Sequence, residues 1–249
     1  MTGSLAALFW GLVGGSALVL GAAIAYFVTI PFRVVAAVMA FGSGVLISAL
    51  SFELMDNAYD KGGTIGVTIG FLSGALIYSA ANVAVNRAGG HNRKRSRQPQ
   101  QAAAEGTGMA IAIGAVIDGI PESVAIGAGL LEGAGVSLVT VLAVFLSNIP
   151  EALSSAAGMR QSGRSGIYVF GVWGGIALLS GIAAFVGNVA LVGTDPVVIA
   201  IVLAVAAGGI LAMIVDTMIP EAFEVAHEVA GIITVIGFLL AFLLSKVAG

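Results

Sequence analysis

The chain has 249 residues, of which 59% are hydrophobic and 9% charged, and its mean hydropathy is +1.08. A soluble domain carries about 25% charged residues, so this chain has too few charges to cover a water-exposed surface and is read as an integral membrane protein. The absence of cysteine excludes disulfides, thiolate zinc sites and cysteine catalysis; the net charge of −3 decides little, because the placement of the charges carries the information.

A membrane span needs about 20 apolar residues. In chain order, the sequence predicts spans over 4–28, 34–56, 65–87, 107–131, 135–160, 166–189, 197–221 and 229–247. Runs of this length without β-alternation argue for helices over barrel strands. Thr2-Gly3 precede the first run with no basic residue, and the run is too long for a signal sequence, so no cleaved secretory signal is expected. Trp10, Trp173 and the scattered Phe and Met read as lipid-facing or packing residues.

One long polar stretch, 88–106, carries HNRKRSRQPQQ and is expected to be a structureless linker, with His91 merely solvated. Lys and Arg mark the cytoplasmic side. With the linker inside, Arg33, Arg87, Arg93, Lys94, Arg95, Arg97, Arg160 and Arg164 all fall inside, and only Lys61 and Lys246 fall outside. Both termini are therefore expected to be external, in a multi-pass protein of the cell (plasma or inner) membrane.

The chain repeats itself. At a constant offset of 165, GVLISALSFELMDNAY (44–59) falls on GILAMIVDTMIPEAFE (209–224), matching Gly44 to Gly209, Leu46 to Leu211, Ser51 to Asp216 and Asp56 to Glu221. At an offset of 29, Ile120-Pro121-Glu122 falls on Ile149-Pro150-Glu151 and Gly129 on Gly158. Each matched pair would run in opposite directions, as in many transporters. The expected fold is thus all-α: eight transmembrane helices in a 3+2+3 inverted-repeat arrangement. Residues 1–87 form the first three helices, 88–106 the cytosolic basic linker, 107–160 a central pair and 166–249 the inverted last three.

The central pair carries the chemistry. Pro121 and Pro150 each remove an amide hydrogen, so each helix is expected to kink and free the carbonyls of Ile117 and Leu146. Asp118 and Glu122 are four residues apart and share a helix face, as do Ser147 and Glu151; Asn148 is three from Glu151. Two such helices facing each other would present three carboxylates, one amide and one hydroxyl at one depth. A single carboxylate at the bilayer centre costs about 2.5–3.5 kcal/mol on insertion scales, and three at one level also repel. A divalent cation removes the problem by coordination; proton or sodium relay by the same groups is the competing reading. Glu221, Glu224 and Glu228, with His227, lie toward the predicted inner mouth, Asp216 lies about one and a half turns deeper, and Glu53, Asp56 and Asp60 lie toward the outer mouth. Such acids could guide cations, although Asp60, Glu132, Glu224 and Glu228 read better as solvated interfacial residues. Ser51, Asp56, Asp216 and Glu221 are the secondary pathway candidates.

The paired phrases DGIPESVAIGAG and SNIPEALSSAAG resemble the signatures of the ZIP (Zrt/Irt-like) metal transporters. There the fourth span reads His-Asn-x-Pro-Glu-Gly and the fifth a similar polar-x-x-Pro-Glu. DTMIPEAFE resembles the seventh span of the GufA-like bacterial branch. The resemblance implies Glu122 and Glu151 as central metal ligands, with Asp118, Ser147 and Asn148 as auxiliaries. It also departs from the family pattern: Asp118 stands at the signature His, Gly119 at the Asn and Ser123 at the Gly. Zinc favours nitrogen and sulfur donors, so an oxygen-only site tilts preference toward manganese, iron(II) or magnesium.

The expected function is transport of divalent transition metals (the zinc, manganese, iron(II) class) toward the cytosol, gradient-driven because no nucleotide-binding loop is present. No permanently bound cofactor is expected. The lipid bilayer and the metal ion are the expected partners, a homodimer is compatible with the sequence, and no nucleic-acid partner is expected. The alternatives are a proton- or sodium-linked carrier and a nontransporting metal sensor. An intramembrane metalloprotease, or any enzyme, is disfavoured because only His91 and His227 exist and no His-Glu-x-x-His helix is present.

Overall fold

The computed structural model describes residues 3–90, 107–132 and 138–248. The basic run around Arg93, Lys94, Arg95 and Arg97, with His91, lies outside the described residues, as does the side chain of Glu132. The described chain is helical: α1 (Gly3–Phe27), α2 (Phe32–Ala49), α3 (Asp56–Val85), α4 (Thr107–Gly129), α5 (Leu138–Gln161), α6 (Gly166–Leu191), α7 (Pro196–Met213), α8 (Ile219–Ala226) and α9 (Glu228–Ala248). No strand occurs among the described residues.

Among the described residues, six helical stretches are long and apolar enough to cross a membrane. One of them, Phe32–Ala88, has 57 residues. A straight helix of that length would measure about 85 Å, roughly twice a bilayer of about 40–45 Å with its headgroups. Gly63 interrupts it with φ +58° and ψ −169°, a conformation that costs an L-residue side chain dearly and glycine little. The outer faces suit lipid: Ile65, Ile69, Leu72 and Leu76 form an exposed stripe on α3, and Ile232, Ile236, Leu239 and Leu243 one on α9.

Pro121 and Pro150 do not end their helices, and α4 and α5 run through them. The interruptions fall elsewhere. Apart from Asn86–Gly90, which follows α3, a π-helical segment, Leu50–Met55, follows α2 and another, Ile214–Met218, follows α7. Each has a hydroxyl bonded one turn back: Ser51 to the Ile47 carbonyl at 2.7 Å and Thr217 to the Met213 carbonyl at 2.6 Å. Such back-bonding competes with regular helical pairing and bends helices.

Helix packing rests on small residues. A Cβ at Gly74 would strike the Val205 carbonyl, and one at Gly208 that of Phe71, so α3 and α7 touch backbone to backbone. The α2–α9 crossing is built the same way: Gly44 meets Thr234 and Gly237 meets Phe41. Where lipid surrounds the helices, this close packing supplies the association that water supplies elsewhere. One apolar cluster draws mainly on α2, α3, α7 and α8 (Met39, Leu50, Tyr78, Leu203, Met213, Met218); a second draws on α1, α4, α5 and α6 (Leu18, Ala115, Leu153, Met159, Trp173). The two prolines lie where these bodies meet. Pro121 packs on Gly209, whose added Cβ would sit 3.2 Å from its Cγ, and Pro150 packs on Gly42 at the same 3.2 Å.

Candidate cation site

Helix α5 is the most enclosed element: Pro150 through Ala156 are all buried, between α1, α2 and neighbouring helices. Its apolar, small-residue surface lets other helices close around it, and this closure takes Glu151 out of solvent. Four carboxylates are buried in the described structure: Asp118 at 0% exposure and Glu122 at 1% on α4, Glu151 at 3% on α5, and Glu221 at 4% in the first turn of α8. No Lys, Arg or His is among the buried described residues. A buried carboxylate is tolerated only where protons, polar contacts or opposite charges compensate it.

The polar contacts join the helices into a chain. On α4, Asp118 accepts a short hydrogen bond from the hydroxyl of Tyr78 on α3. One turn on, Glu122 Oε1 lies 3.2 Å from Ser147 Oγ of α5, whose single hydrogen also has the Val144 carbonyl at 2.9 Å. This contact brings the Glu122 carboxylate to the face of α5 that carries Glu151 one turn away. One further turn along α5, Ser154 Oγ donates to Glu221 Oε1 at 3.2 Å. The row thus runs from Tyr78 and Asp118 through Glu122, Ser147 and Glu151 to Ser154 and Glu221.

The other site candidates are placed differently. Asn148 is buried, but its amide nitrogen donates to the Gly14 carbonyl of α1 at 3.0 Å, so its oxygen is the atom a cation would use. Asp216 is exposed and accepts from Asn82 of α3 at 3.2 Å. Asp56 is exposed and Ser51 half-buried. Glu228, Asp60 and His227 are exposed and Glu224 is half-buried. Among the described residues, no three His, Asp or Glu side chains gather closely enough to hold a metal by themselves. The carboxylates form a file and not a cluster, so an ion resting there would need hydroxyl, amide or backbone oxygens as well.

Tyr78, Asn82 and Ser154 were not among the sequence candidates. Tyr78 and Asn82 are buried polar residues four apart on one face of α3. That spacing, inside an apolar span, was the available signal. Ser154-Ser155 follow Glu151 by one turn and could have been read the same way.

Compared with models of known protein families the sequence matches none, and it matches no curated protein.

Proposed function

We propose that the protein is a ZIP-like membrane carrier for divalent transition-metal cations, moving them toward the cytosol through a carboxylate site between α4 and α5. The observation that carries this reading is the file of four buried acids, three of which meet a hydroxyl from a neighbouring helix. An isolated carboxylate at membrane depth costs several kcal/mol (about 2.5–3.5 on insertion scales) and is otherwise rare. Four of them, on three helices and joined by hydroxyls, are a costly arrangement for packing alone and a useful one for a cation. Glu122 and Glu151 are the central ligands in this reading. Asp118, Ser147 and Asn148 are auxiliaries, and Glu221 lies on the way inward.

The inverted 3+2+3 arrangement of eight spans draws support from paired contacts. The α3–α7 and α2–α9 crossings use the same two-glycine construction. The α2–α5 contact of Pro150 on Gly42 has its counterpart in the α4–α7 contact of Pro121 on Gly209. Two of the three π-helical segments, Leu50–Met55 and Ile214–Met218, fall in the spans that the offset of 165 pairs. Relative movement of the α1/α4/α5/α6 body against the α2/α3/α7/α8 body, across those proline contacts, would alternate access to the acids.

The deciding experiment is manganese flux into proteoliposomes under a defined gradient, for the native chain and Glu122→Ala. Saturable flux that Glu122→Ala abolishes is the expected result. Manganese binding without flux would favour a sensor, and sodium- or proton-driven movement without divalent metal the other carrier. Competition across metals tests the oxygen-only site: manganese should outcompete zinc, and Asp118→His should reverse the order.

A further inference from the structure

Carboxylate, hydroxyl and amide oxygens suit calcium and magnesium as well as manganese. A site made only of them cannot tell a transition metal from calcium by donor type. Coordination can do so. Calcium takes about 6–8 oxygens and often grips both oxygens of a carboxylate, whereas a small hard cation keeps a tighter octahedral shell. A device that stops carboxylates from offering both oxygens to one ion discriminates against calcium.

One arrangement occurs three times along the file of acids. A hydroxyl from a neighbouring helix lies on one oxygen of a buried carboxylate: Tyr78 on Asp118 Oδ1, Ser147 on Glu122 Oε1 and Ser154 on Glu221 Oε1. The Tyr78 contact is the firmest. Its partners are 3% and 0% exposed, and a phenol has a single hydrogen to give. The Ser147 contact is looser, because its hydrogen is shared with the Val144 carbonyl. Tyr78 is itself held in place: one turn along α3, Asn82 is buried and bonded to Asp216, which anchors that face of the helix. A hydrogen bond onto an ionised carboxylate is short and strong. It withdraws electron density from the oxygen it reaches and fixes the plane of the group, so the other oxygen becomes the better donor.

We propose that Tyr78 is a specificity-determining positioning residue: its hydroxyl holds Asp118 as a single-oxygen donor, and with Ser147 and Ser154 it restricts the site to small divalent ions and against calcium. Tyr78 acts through Asp118 and does not touch the ion. This inference rests on the carrier reading above.

The test is manganese flux into proteoliposomes carrying the full chain, with and without competing calcium, for the native protein, Tyr78→Phe and Ser154→Ala. The native chain should carry manganese with little inhibition by calcium. Tyr78→Phe should lose about tenfold in manganese-over-calcium selectivity, the scale on which an outer partner of a ligand acts, with KM for manganese raised and maximal flux nearly kept. A merely structural role would lower flux for both ions alike and leave their ratio unchanged, and that result overturns the inference. If Tyr78→Phe fails to yield folded protein by gel filtration, Ser154→Ala decides: a reduced manganese-over-calcium ratio supports the inference, and an unchanged one overturns it. A native chain that moves no manganese overturns the carrier reading and this inference with it, whereas manganese flux with unaltered ratios in the variants overturns only the inference.

Discussion

After α2 and again after α7 the chain widens into a π-helical segment, and in each a hydroxyl bonds back one turn, from Ser51 and from Thr217. The acids that follow fare differently. Asp56, beyond the first segment, is exposed, whereas Glu221, beyond the second, is 4% exposed and held by Ser154. The neighbourhood explains the difference. After Leu50–Met55 the helix continues as α3 as far as the break at Gly63. After Ile214–Met218, Pro220 opens the short helix α8, which packs on α2 and ends at His227, with φ +46°. There Glu221 meets the Ser154 hydroxyl of α5. Local backbone form thus repeats without fixing the surroundings of an acid; the adjacent helices decide those.

The comparison can be broken most forcefully at the glycines that precede the two segments. Gly44→Ala and Gly208→Ala each drive a Cβ into a facing carbonyl, of Thr234 and Phe71. Each should cost about 3 kcal/mol or more, at the upper end for overpacked sites, seen as a loss of thermal stability in detergent. Gly171→Ala and Gly231→Ala, where a Cβ meets nothing within 4 Å, should be neutral or gain up to about 1 kcal/mol through helix propensity. Equal losses at Gly171 and Gly44 would sink the backbone-contact account.

A smaller effect should separate the two acids. Glu221→Gln is expected to lower manganese flux about tenfold, as loss of a buried group beside the ion path. Asp56→Asn should change it less than about twofold, because solvent screens an exposed charge. Proteoliposome flux at low manganese measures both, and equal effects would erase the asymmetry.

The mildest change probes the segments themselves. Ser51→Ala and Thr217→Val each remove one side-chain hydrogen bond to backbone and should shift stability by about 1 kcal/mol or less. Circular dichroism melts of both variants would show whether the two segments are of similar strength.

Much of this was legible in the residues. The apolar runs 4–28, 166–189 and 229–247 lie within a few residues of α1, α6 and α9, because span length follows from bilayer thickness. The helix that ends at 213 in the structure resumes after its π-helical segment and reaches Ala226, beyond the anticipated 221. Prolines kink helices, and the sequence places kinks at Pro121 and Pro150; α4 and α5 run through both prolines as helices. Small glycines on the facing helices make room for the rings, at Gly209 and Gly42. Leu50–Met55 and Ile214–Met218 carry no proline of their own; Ser51, Thr217 and Pro220, whose missing N–H leaves the Asp216 carbonyl without its usual helical partner, are the local hints. Asp118, Glu122, Ser147 and Glu151 were legible as candidates because acids are rare in apolar runs. Tyr78 and Ser154 were missed because tyrosine and serine are ordinary in membrane helices, and their partners lie 40 and 67 residues away.

Composition and hydropathy by themselves determined that this is a helical protein with helices fit to cross a membrane, and helical spacing determined which polar residues share a face. Both are properties of neighbours along the chain, where rise per residue and transfer free energy settle the outcome. Only the tertiary structure decided that Asp118, Glu122, Glu151 and Glu221 are buried while Asp56 and Asp216 are not, and that hydroxyls from other helices lie on three of the buried acids. Burial and cross-helix hydrogen bonds depend on which helices close around α5, and that is set by contacts between residues far apart in the chain.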